Sequence, residues 1–273
     1  MAEHHASGTL YIVATPIGNL EDITLRALRI LKEADLILAE DTRRTAILLQ
    51  HFDIRKPLES YHIFNEHART PALIRRIQNG LTAALVSDAG TPCIADPGFM
   101  LVRAAVEAGI EPVIIPGVSA LTFAVSASAL PSDHFNFHGF VPVKSGRRRA
   151  ELERIAADKR TAVVFESPFR IAKLLAEVSE VIGPDTPLAL VREATKIHEQ
   201  ILRSPAAQLA EQAKKVNWKG ECVLVIDARD ASERVNASDG DASERVNASD
   251  GDTSERVNAS DGEPVAHEDG TED

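Results

Sequence analysis

The sequence predicts an α/β protein with two α/β domains and a disordered C-terminal tail. Up to about residue 117, short apolar runs rich in β-branched residues alternate with segments of helical periodicity, as in a mostly parallel sheet. Beyond that point the alternation becomes irregular, which predicts a mixed sheet with its own helices. The chain ends in an eleven-residue repeat (ASERVNASDGD) whose apolar content is too low to offset the entropy of ordering it.

The first predicted domain covers 9–118 and follows a flexible N-terminus, 1–8. Its opening strand is the run TLYIVAT, and the turn PIGNLED then leads into a helix with amphipathic spacing. Because parallel strands end at the same edge of a sheet, the loops that follow them are the expected ligand-binding segments. The predicted strands are 9–15, 35–40, 81–87 and 111–117, and the predicted helices are 23–34, 41–52 and 99–109.

The second predicted domain covers 119–230, and the disordered acidic repeat tail covers 231–273. The run FNFHGFVP is interpreted as an edge strand, and the basic segment SGRRRAELERIAAD as the helix that follows it. The predicted strands of this domain are 135–142, 161–167, 186–193 and 220–228, and its predicted helices are 145–158, 169–182 and 205–216.

Charge and composition narrow the class of protein. The net charge is −11, but 13 of the 41 acidic residues and only three of the 30 basic residues lie in 231–273, so the folded part is nearly neutral. No run of 18 or more apolar residues occurs and the N-terminus lacks a secretory pattern, so we expect no membrane partner and a cytoplasmic location. Cys93 and Cys222 lack metal-type spacing, which fits reduced thiols.

The loop SDAGTPCIADPG (87–98) is the strongest candidate binding segment. Ala89, Gly90 and Thr91 offer backbone donors with little bulk, and Asp88 and Asp96 offer acceptors for hydroxyl or ammonium groups. A phosphate cradle is basic and leads into a Gly-Lys step, which this loop lacks. S-adenosyl-L-methionine carries a sulfonium, an ammonium and a ribose diol and suits the loop; the alternative is a capped connection without a ligand.

Two further turns belong to the same predicted edge. In PIGNLEDIT (16–24), Gly18 lets the backbone approach a ligand closely, although the turn is equally well a simple strand–helix connection. Glu40, at the end of the second strand, keeps a dinucleotide site open as a weak alternative. In IPGVSALT (115–122), Ser119 and Ala120 are expected to line the crevice, or else Ser119 caps a helix at a domain hinge.

Charged residues follow strands in both domains, within AEDTRRT, ESPFR and REATKIHE. Charges just past parallel strands are often functional, and the alternative is helix capping and plain ion pairs. The histidines have no metal-ligand spacing, so we expect no metal site. The charged candidates at these strand ends are Glu40, Asp41, Arg43, Glu166, Arg170, Arg192, Glu193 and Lys196.

The segment VKSGRRR (143–149) is a candidate RNA contact. Lys144, Arg147, Arg148 and Arg149 follow a strand that holds three phenylalanines, and basic residues beside aromatic rings suit an RNA backbone with unstacked bases. The alternative is a solvated helix start with the phenylalanines in the core.

Taken in order, these motifs resemble the tetrapyrrole methylase superfamily of S-adenosylmethionine enzymes, and within it the subgroup that 2′-O-methylates a cytidine of 16S rRNA. The resemblance covers about 8–228 and implies two α/β domains with the cofactor in the cleft between them, a homodimer, and the small ribosomal subunit as partner. The motifs that carry it are TPIGNLEDIT, AEDTR, VSDAGTPCIADPG, IPGVSA, GFVP with the basic run, FESPFR, REATKIHE and KGECVLVI.

The resemblance also implies cofactor contacts at specific positions. PIGN and AGTP depart from the superfamily's usual GPGD and GGDP in the form typical of the rRNA subgroup. Cys93 stands where that subgroup commonly has glycine, a change that an ordinary backbone φ would accept. With Gly18 and Asp88 from the loops above, the implied cofactor residues are Ile17, Ala89, Gly90, Thr91, Ile94, Ser119, Ala120, Ser167 and Ala194.

The implied reaction is in-line attack of a ribose O2′ on the sulfonium methyl group, which requires alignment above all. Asp41, Glu166 and Glu193 are the candidate bases, and Arg43, Arg170 and Lys196 are the candidate cations. Two alternatives stay open: a small-molecule methylase of the corrin or porphyrin pathway, and a non-catalytic RNA-binding module.

Overall fold

The computed structural model describes residues 8–230. The predicted flexible N-terminus (apart from residue 8) and the predicted disordered repeat tail lie outside the described residues. The described part holds two five-stranded sheets within one compact unit. None of the helices in 8–230 is long and apolar enough to cross a membrane.

The first sheet is entirely parallel, as the alternation of strand and helix predicts, with strand order β3-β2-β4-β1-β5. Each side chain of β4 is buried, because helices cover both faces of a parallel sheet. Its strands are β1 (Leu10–Val13), β2 (Leu36–Ala39), β3 (Leu58–Ser60), β4 (Ala83–Val86) and β5 (Val113–Ile115), and its helices are α1 (Leu25–Glu33), α2 (Thr42–His51), α3 (Glu66–Gln78) and α4 (Phe99–Glu107).

The second sheet is mixed, as predicted, with strand order β6-β7-β10-β8-β9. The edge position of its first strand is confirmed, and this strand forms the sheet's one parallel pairing within the described chain. Its strands are β6 (Phe135–Phe140), β7 (Thr161–Glu166), β8 (Pro187–Arg192), β9 (Gln200–Pro205) and β10 (Cys222–Asp227), and its helices are α5 (Ala120–Ser128), α6 (Ser145–Asp158), α7 (Ile171–Val181) and α8 (Ala206–Ala213).

Four of these elements, β3, α3, α5 and β9, have no counterpart among the strands and helices predicted from the sequence, although a helix that begins after Ser119 is one of the two interpretations of IPGVSALT. The side chains of β3 are only half-buried and those of β9 are half-buried or exposed, so neither strand shows a clear apolar run. Pro71 lies inside α3 and obscures its helical pattern.

A side-chain cap fixes where the helix after the first loop begins. The Thr24 side chain accepts a hydrogen bond from the Ala27 amide at 3.0 Å, which caps α1. The spacing of Ala27, Ile30 and Leu31 then buries one stripe of the helix against the first sheet. A short 3-10 helix, Leu20–Asp22, lies between β1 and this cap. Because the first loop follows β1, it lies at the carboxyl edge of the sheet.

Helix α5 packs on the second sheet, although it follows the last strand of the first. Ala124 and Val125 share a buried cluster with Val163, Ala189 and Val225. This packing supports a division between residues 118 and 119, which we retain as a proposal for the domain boundary.

Candidate active site

A cavity of about 450 Å³ lies between loops of the two sheets. The loops after β2 and β4 form one wall, and the start of α5, the end of β7 and the start of β10 form the other. Of the sequence-predicted residues, those that line this cavity are Ile17, Glu40, Asp88, Ala89, Gly90, Thr91, Ile94, Asp96, Ser119, Ala120, Glu166 and Ser167.

The predicted binding loop is joined to the first loop by main-chain hydrogen bonds. The Thr15 amide donates to the Gly90 carbonyl at 2.8 Å, and the Gly90 amide donates back to Thr15 at 3.0 Å. Gly90 has a φ of +78°, and a Cβ added there would lie 3.4 Å from Cγ2 of Ile17. Glycine therefore provides both the backbone conformation and the open space at this wall.

The first loop also contacts the loop that follows β8. The Asn19 amide donates to Oγ1 of Thr195 at 3.1 Å. Side-chain atoms of Thr195 and Lys196 lie so close to Gly18 that a Cβ at that position would overlap them. Gly18 thus permits the close approach of the two loops, and it lines a smaller neighbouring cavity.

Cys93 adopts the left-handed backbone conformation, with a φ of +72°. The ordinary φ that would accept cysteine without strain is therefore absent at this position. The tight path of the 87–98 loop explains it: the Cys93 amide donates to the Pro97 carbonyl at 3.3 Å, and Ala95 also has a positive φ, +62°.

Replacing Cys93 with glycine is expected to relieve this strain. Cys93→Ala is the matched control, because it removes the same sulfur but keeps the Cβ. We expect Cys93→Gly to be the more stable variant by about 1 kcal/mol, the usual cost of a left-handed residue with a Cβ. Urea unfolding measures the difference, and an alanine variant of equal or greater stability would contradict it.

Five carboxylates line the cavity, and three of them, Glu40, Asp88 and Asp96, follow strands of the first sheet and make that wall negative. Burial and the nearby charge of Glu40 raise the pKa of Asp96 to about 7. Burial and the charge of Asp88 raise the pKa of Glu40 as well. A bound cation would relieve this repulsion, so the electrostatics of the cavity favour a positively charged ligand.

The raised pKa of Asp96 predicts a pH-dependent stability difference. The folded state binds the proton of the Asp96 carboxyl more tightly than the unfolded chain does. The stability that this protonated carboxyl contributes to the folded state is therefore full below about pH 4 and is lost as pH rises towards 7. As pH rises from about 4 to about 8, the free energy of unfolding of Asp96→Asn should therefore increase by about 1–2 kcal/mol relative to that of wild type, after allowance for screening by water. Thermal unfolding across this range tests it, and a difference that does not vary with pH would contradict it.

Each carboxylate among the candidate catalytic residues is paired with one of the candidate cations. Asp41 bonds to Nη2 of Arg43 at 2.7 Å and also caps α2 by accepting from the Arg43 amide at 2.9 Å. This contact holds the pKa of Asp41 well below its usual range. Oε1 of Glu166 accepts from Nε of Arg170 at 2.7 Å, and the Glu166 side chain has no exposed surface.

Glu193 and Lys196 form the third pair, with Nζ of Lys196 at 2.9 Å from Oε1 of Glu193 and 3.1 Å from Oε2 of Glu221. Burial acts to raise the pKa of Glu193, but hydrogen bonds from Lys196 and the Glu221 amide outweigh it, so the pKa is lowered. Lys196 lines the smaller cavity, whereas Asp41, Arg43, Glu193 and Ala194 line neither cavity.

The basic run lies at the start of α6, and its four residues do not share one environment. Lys144 and Arg147 are exposed. Arg149 is exposed and is paired with Glu153 and Glu180.

Arg148 requires a correction, because it is buried and does not belong to an RNA-binding surface. Its guanidinium bonds to both carboxylate oxygens of Glu177 and donates to the carbonyls of Pro142 and Val143. The helical turn directs this side chain inward while its neighbours point outward.

Several cavity residues were not among the sequence-predicted site residues: Arg44, Phe140, Phe165 and Glu221. Arg44 lies in the motif AEDTRRT and Glu221 in the motif KGECVLVI. Their charge beside a predicted strand is the sequence signal that could have identified them. Phe140 and Phe165 are in edge-to-face contact, with their ring centroids 5.7 Å apart, and give the cavity an aromatic side.

Within 8–230, no group of three or more His, Cys, Asp or Glu side chains is arranged to hold a metal ion.

Comparison with known proteins shows what the chain is similar to. The sequence profile of the Tetrapyrrole (Corrin/Porphyrin) Methylases matches residues 9–210. The ribosomal RNA small subunit methyltransferase I of Pseudomonas aeruginosa is 45% identical over 230 residues, which cover 84% of this chain and 82% of that protein. The protein of that name from Escherichia coli O157:H7 is 46% identical over 231 residues, covering 84% and 81%.

Two solved structures show the same fold. The cobalamin biosynthetic enzyme cobalt precorrin-4 methyltransferase superposes with a TM-score of 0.59 at 21% identity and covers 81% of this chain and 96% of its own. Uroporphyrin-III C-methyl transferase from Thermus thermophilus, complexed with S-adenyl homocysteine, gives 0.57 at 22% identity, with 84% and 100% coverage. The fold class and the resemblance predicted from the sequence are confirmed: the chain belongs to the tetrapyrrole (corrin/porphyrin) methylases.

Proposed function

We propose that the protein is an S-adenosylmethionine-dependent methyltransferase that acts on the rRNA of the small ribosomal subunit. Relatives named for that activity align with 84% of the chain at about 45% identity. In finer detail, we propose that it methylates the ribose 2′-oxygen of a cytidine in 16S rRNA, and that it works in the cytoplasm as a homodimer. The observation that carries the proposal is the acidic cavity with a small-residue wall in the cleft.

The residues of the cavity suit the methyl donor. The wall at Ala89 and Gly90 leaves room for a ligand against the main chain, and Phe140 and Phe165 offer an apolar side for an adenine ring. Asp96 and its neighbours offer negative charge to the ammonium and sulfonium groups. When bound, S-adenosylmethionine supplies a methyl group that its sulfonium makes electrophilic.

The protein's main contribution is then alignment of the acceptor oxygen with that methyl group. A bond forms between O2′ and the methyl carbon, the carbon–sulfur bond breaks with its electron pair remaining on sulfur, and the O2′ proton passes to water. Because Asp41, Glu166 and Glu193 are each held in an ion pair, we propose that they position cations and are not the base. Lys196 is the candidate cation that lines a cavity.

A transfer experiment tests the function directly. The full chain is incubated with labelled S-adenosylmethionine and either assembled small subunits or naked 16S rRNA, and the labelled nucleotide is mapped. We expect label on one ribose. A parallel reaction replaces the RNA with a tetrapyrrole, and label on the tetrapyrrole but not on RNA would favour the small-molecule methylase. No donor binding by isothermal titration would favour a non-catalytic RNA-binding module.

The exposed part of the basic run predicts a separable effect on RNA. Reversing Lys144 and Arg147 to glutamate should weaken RNA binding at least roughly tenfold and reduce its salt dependence, because phosphate contacts are lost. Donor affinity should stay unchanged. Arg103→Glu is the control, since it reverses an exposed arginine on α4. Equal RNA loss in the control, or loss of donor affinity in the double variant, would contradict the assignment.

A further inference from the structure

A second cavity adjoins the cleft. Its volume is about 230 Å³, and five residues line both cavities: Ile17, Arg44, Asp88, Ala89 and Glu221. A group held in one cavity therefore lies beside a group held in the other. The smaller cavity is below the roughly 300–1,000 Å³ that drug-sized ligands occupy, so it suits one nucleoside better than a macrocycle of four pyrrole rings.

One side of the smaller cavity is apolar. Leu20 comes from the first loop, and Ile47 and Leu48 come from α2. Ile47 is 68% exposed, so its apolar side chain is open to a ligand at the mouth of this cavity. A base taken out of its stack needs an apolar surface to replace its lost neighbours, and this side provides one.

The other side of the smaller cavity carries both signs of charge. Lys196 is held between Glu193 and Glu221, and Nη1 of Arg44 lies 3.4 Å from Oδ2 of Asp88. Carboxylates accept a hydrogen bond from the N4 amine of cytosine, whereas uracil presents a carbonyl oxygen at that edge. The two cations suit the phosphates that flank a nucleotide.

We propose that this smaller cavity is the acceptor subsite, which takes a single flipped-out cytidine of the RNA. The base lies against Ile47, and its amine faces the carboxylates of Asp88 and Glu221. The inference rests on the proposed function, because the methyl donor must occupy the neighbouring cavity. The shared wall then brings the ribose next to the donor, as in-line transfer requires.

Filling the smaller cavity tests the proposal. Ile47→Trp adds bulk at its mouth, and Ile47 does not line the larger cavity. Leu25→Trp is the matched control, because Leu25 is an exposed leucine on α1 that lines neither cavity. We expect Ile47→Trp to keep the wild-type melting temperature and the wild-type Kd for S-adenosylmethionine, and to lose at least roughly tenfold in methyl transfer to RNA. Leu25→Trp should match wild type in all three.

The outcomes separate the two proposals. Wild-type rates of transfer by Ile47→Trp would overturn the acceptor subsite alone. A wild-type protein that labels no RNA would overturn the proposed function, and the subsite with it. Loss of donor binding in Ile47→Trp would also overturn the subsite, because it would place the donor in the smaller cavity.

A second variant tests base recognition. Glu221→Gln keeps a side-chain oxygen that accepts from Lys196. Its new amide NH2 group can donate a hydrogen bond to the carbonyl oxygen of uracil. With small subunits that carry cytidine or uridine at the mapped position, we expect the preference for cytidine to fall roughly tenfold, the scale of one lost base-edge contact. An unchanged preference would remove Glu221 from the proposed recognition.

Discussion

Replacing Arg148 with alanine is expected to lower the free energy of unfolding by about 3 kcal/mol, at the low end of the cost of breaking a buried ion pair. Arg148 is 3% exposed, and its partner Glu177 retains 20% of its side-chain exposure. The substitution leaves the Glu177 carboxylate without its partner and removes the donor to the Pro142 and Val143 carbonyls. Urea or thermal unfolding measures the loss.

Two controls isolate the cause of that loss. Arg147→Ala removes an exposed arginine from the same helix and should change stability by less than about 0.5 kcal/mol. The double variant Arg148→Met with Glu177→Leu removes both charges and should recover much of the loss, because apolar groups of similar volume replace a buried pair well. An Arg148→Ala protein as stable as Arg147→Ala would show that the guanidinium is in solvent.

Replacing Gly90 with valine is expected to weaken donor binding about 100-fold, which corresponds to roughly 3 kcal/mol of steric overlap. The new side chain would project next to Ile17, at the cavity wall where we propose that the donor approaches the main chain. Isothermal titration with S-adenosylmethionine measures the affinity, and circular dichroism verifies that the fold is retained.

Gly109→Val is the matched control for this substitution. Gly109 has a φ of +75°, close to that of Gly90, and a Cβ there meets nothing within 4 Å. Both variants therefore carry a similar backbone strain of about 1–2 kcal/mol, and only Gly90→Val narrows the cavity. Equal donor affinity in the two variants would mean that the 87–98 loop does not line the donor site.

The convergence of the binding loops could be predicted from the sequence. Strand–helix alternation implies parallel strands, and parallel strands end at one edge. The loops at Gly18 and Gly90 follow two neighbouring strands of the first sheet, β1 and β4, and they meet through the hydrogen bonds of Thr15. Which charged side chains form ion pairs with one another could not be predicted this way, because an ion pair depends on the distance between the helices and strands that carry the two residues.

Arg148 shows why that limit exists. Its partner lies 29 positions away, on α7, and only the packing of α6 against α7 turns one arginine of the basic run inward. The raised pKa of Asp96 has the same origin, since it requires burial and the charge of Glu40 from another strand end.

The sequence by itself determined the α/β class, the mixed second sheet, the family and the small-residue loops that follow the strands of the first sheet. These follow from local periodicity and from short motifs, in which each residue's neighbours along the chain carry the information. Only the tertiary structure decided that Cys93 is in the left-handed conformation, that Arg148 is buried, and that a second cavity shares a wall with the first. The conformation of Cys93 follows from the path of the 87–98 loop, which its motif does not specify. The other two features arise where segments distant in sequence pack together, because contact geometry and local dielectric are properties of the packed chain.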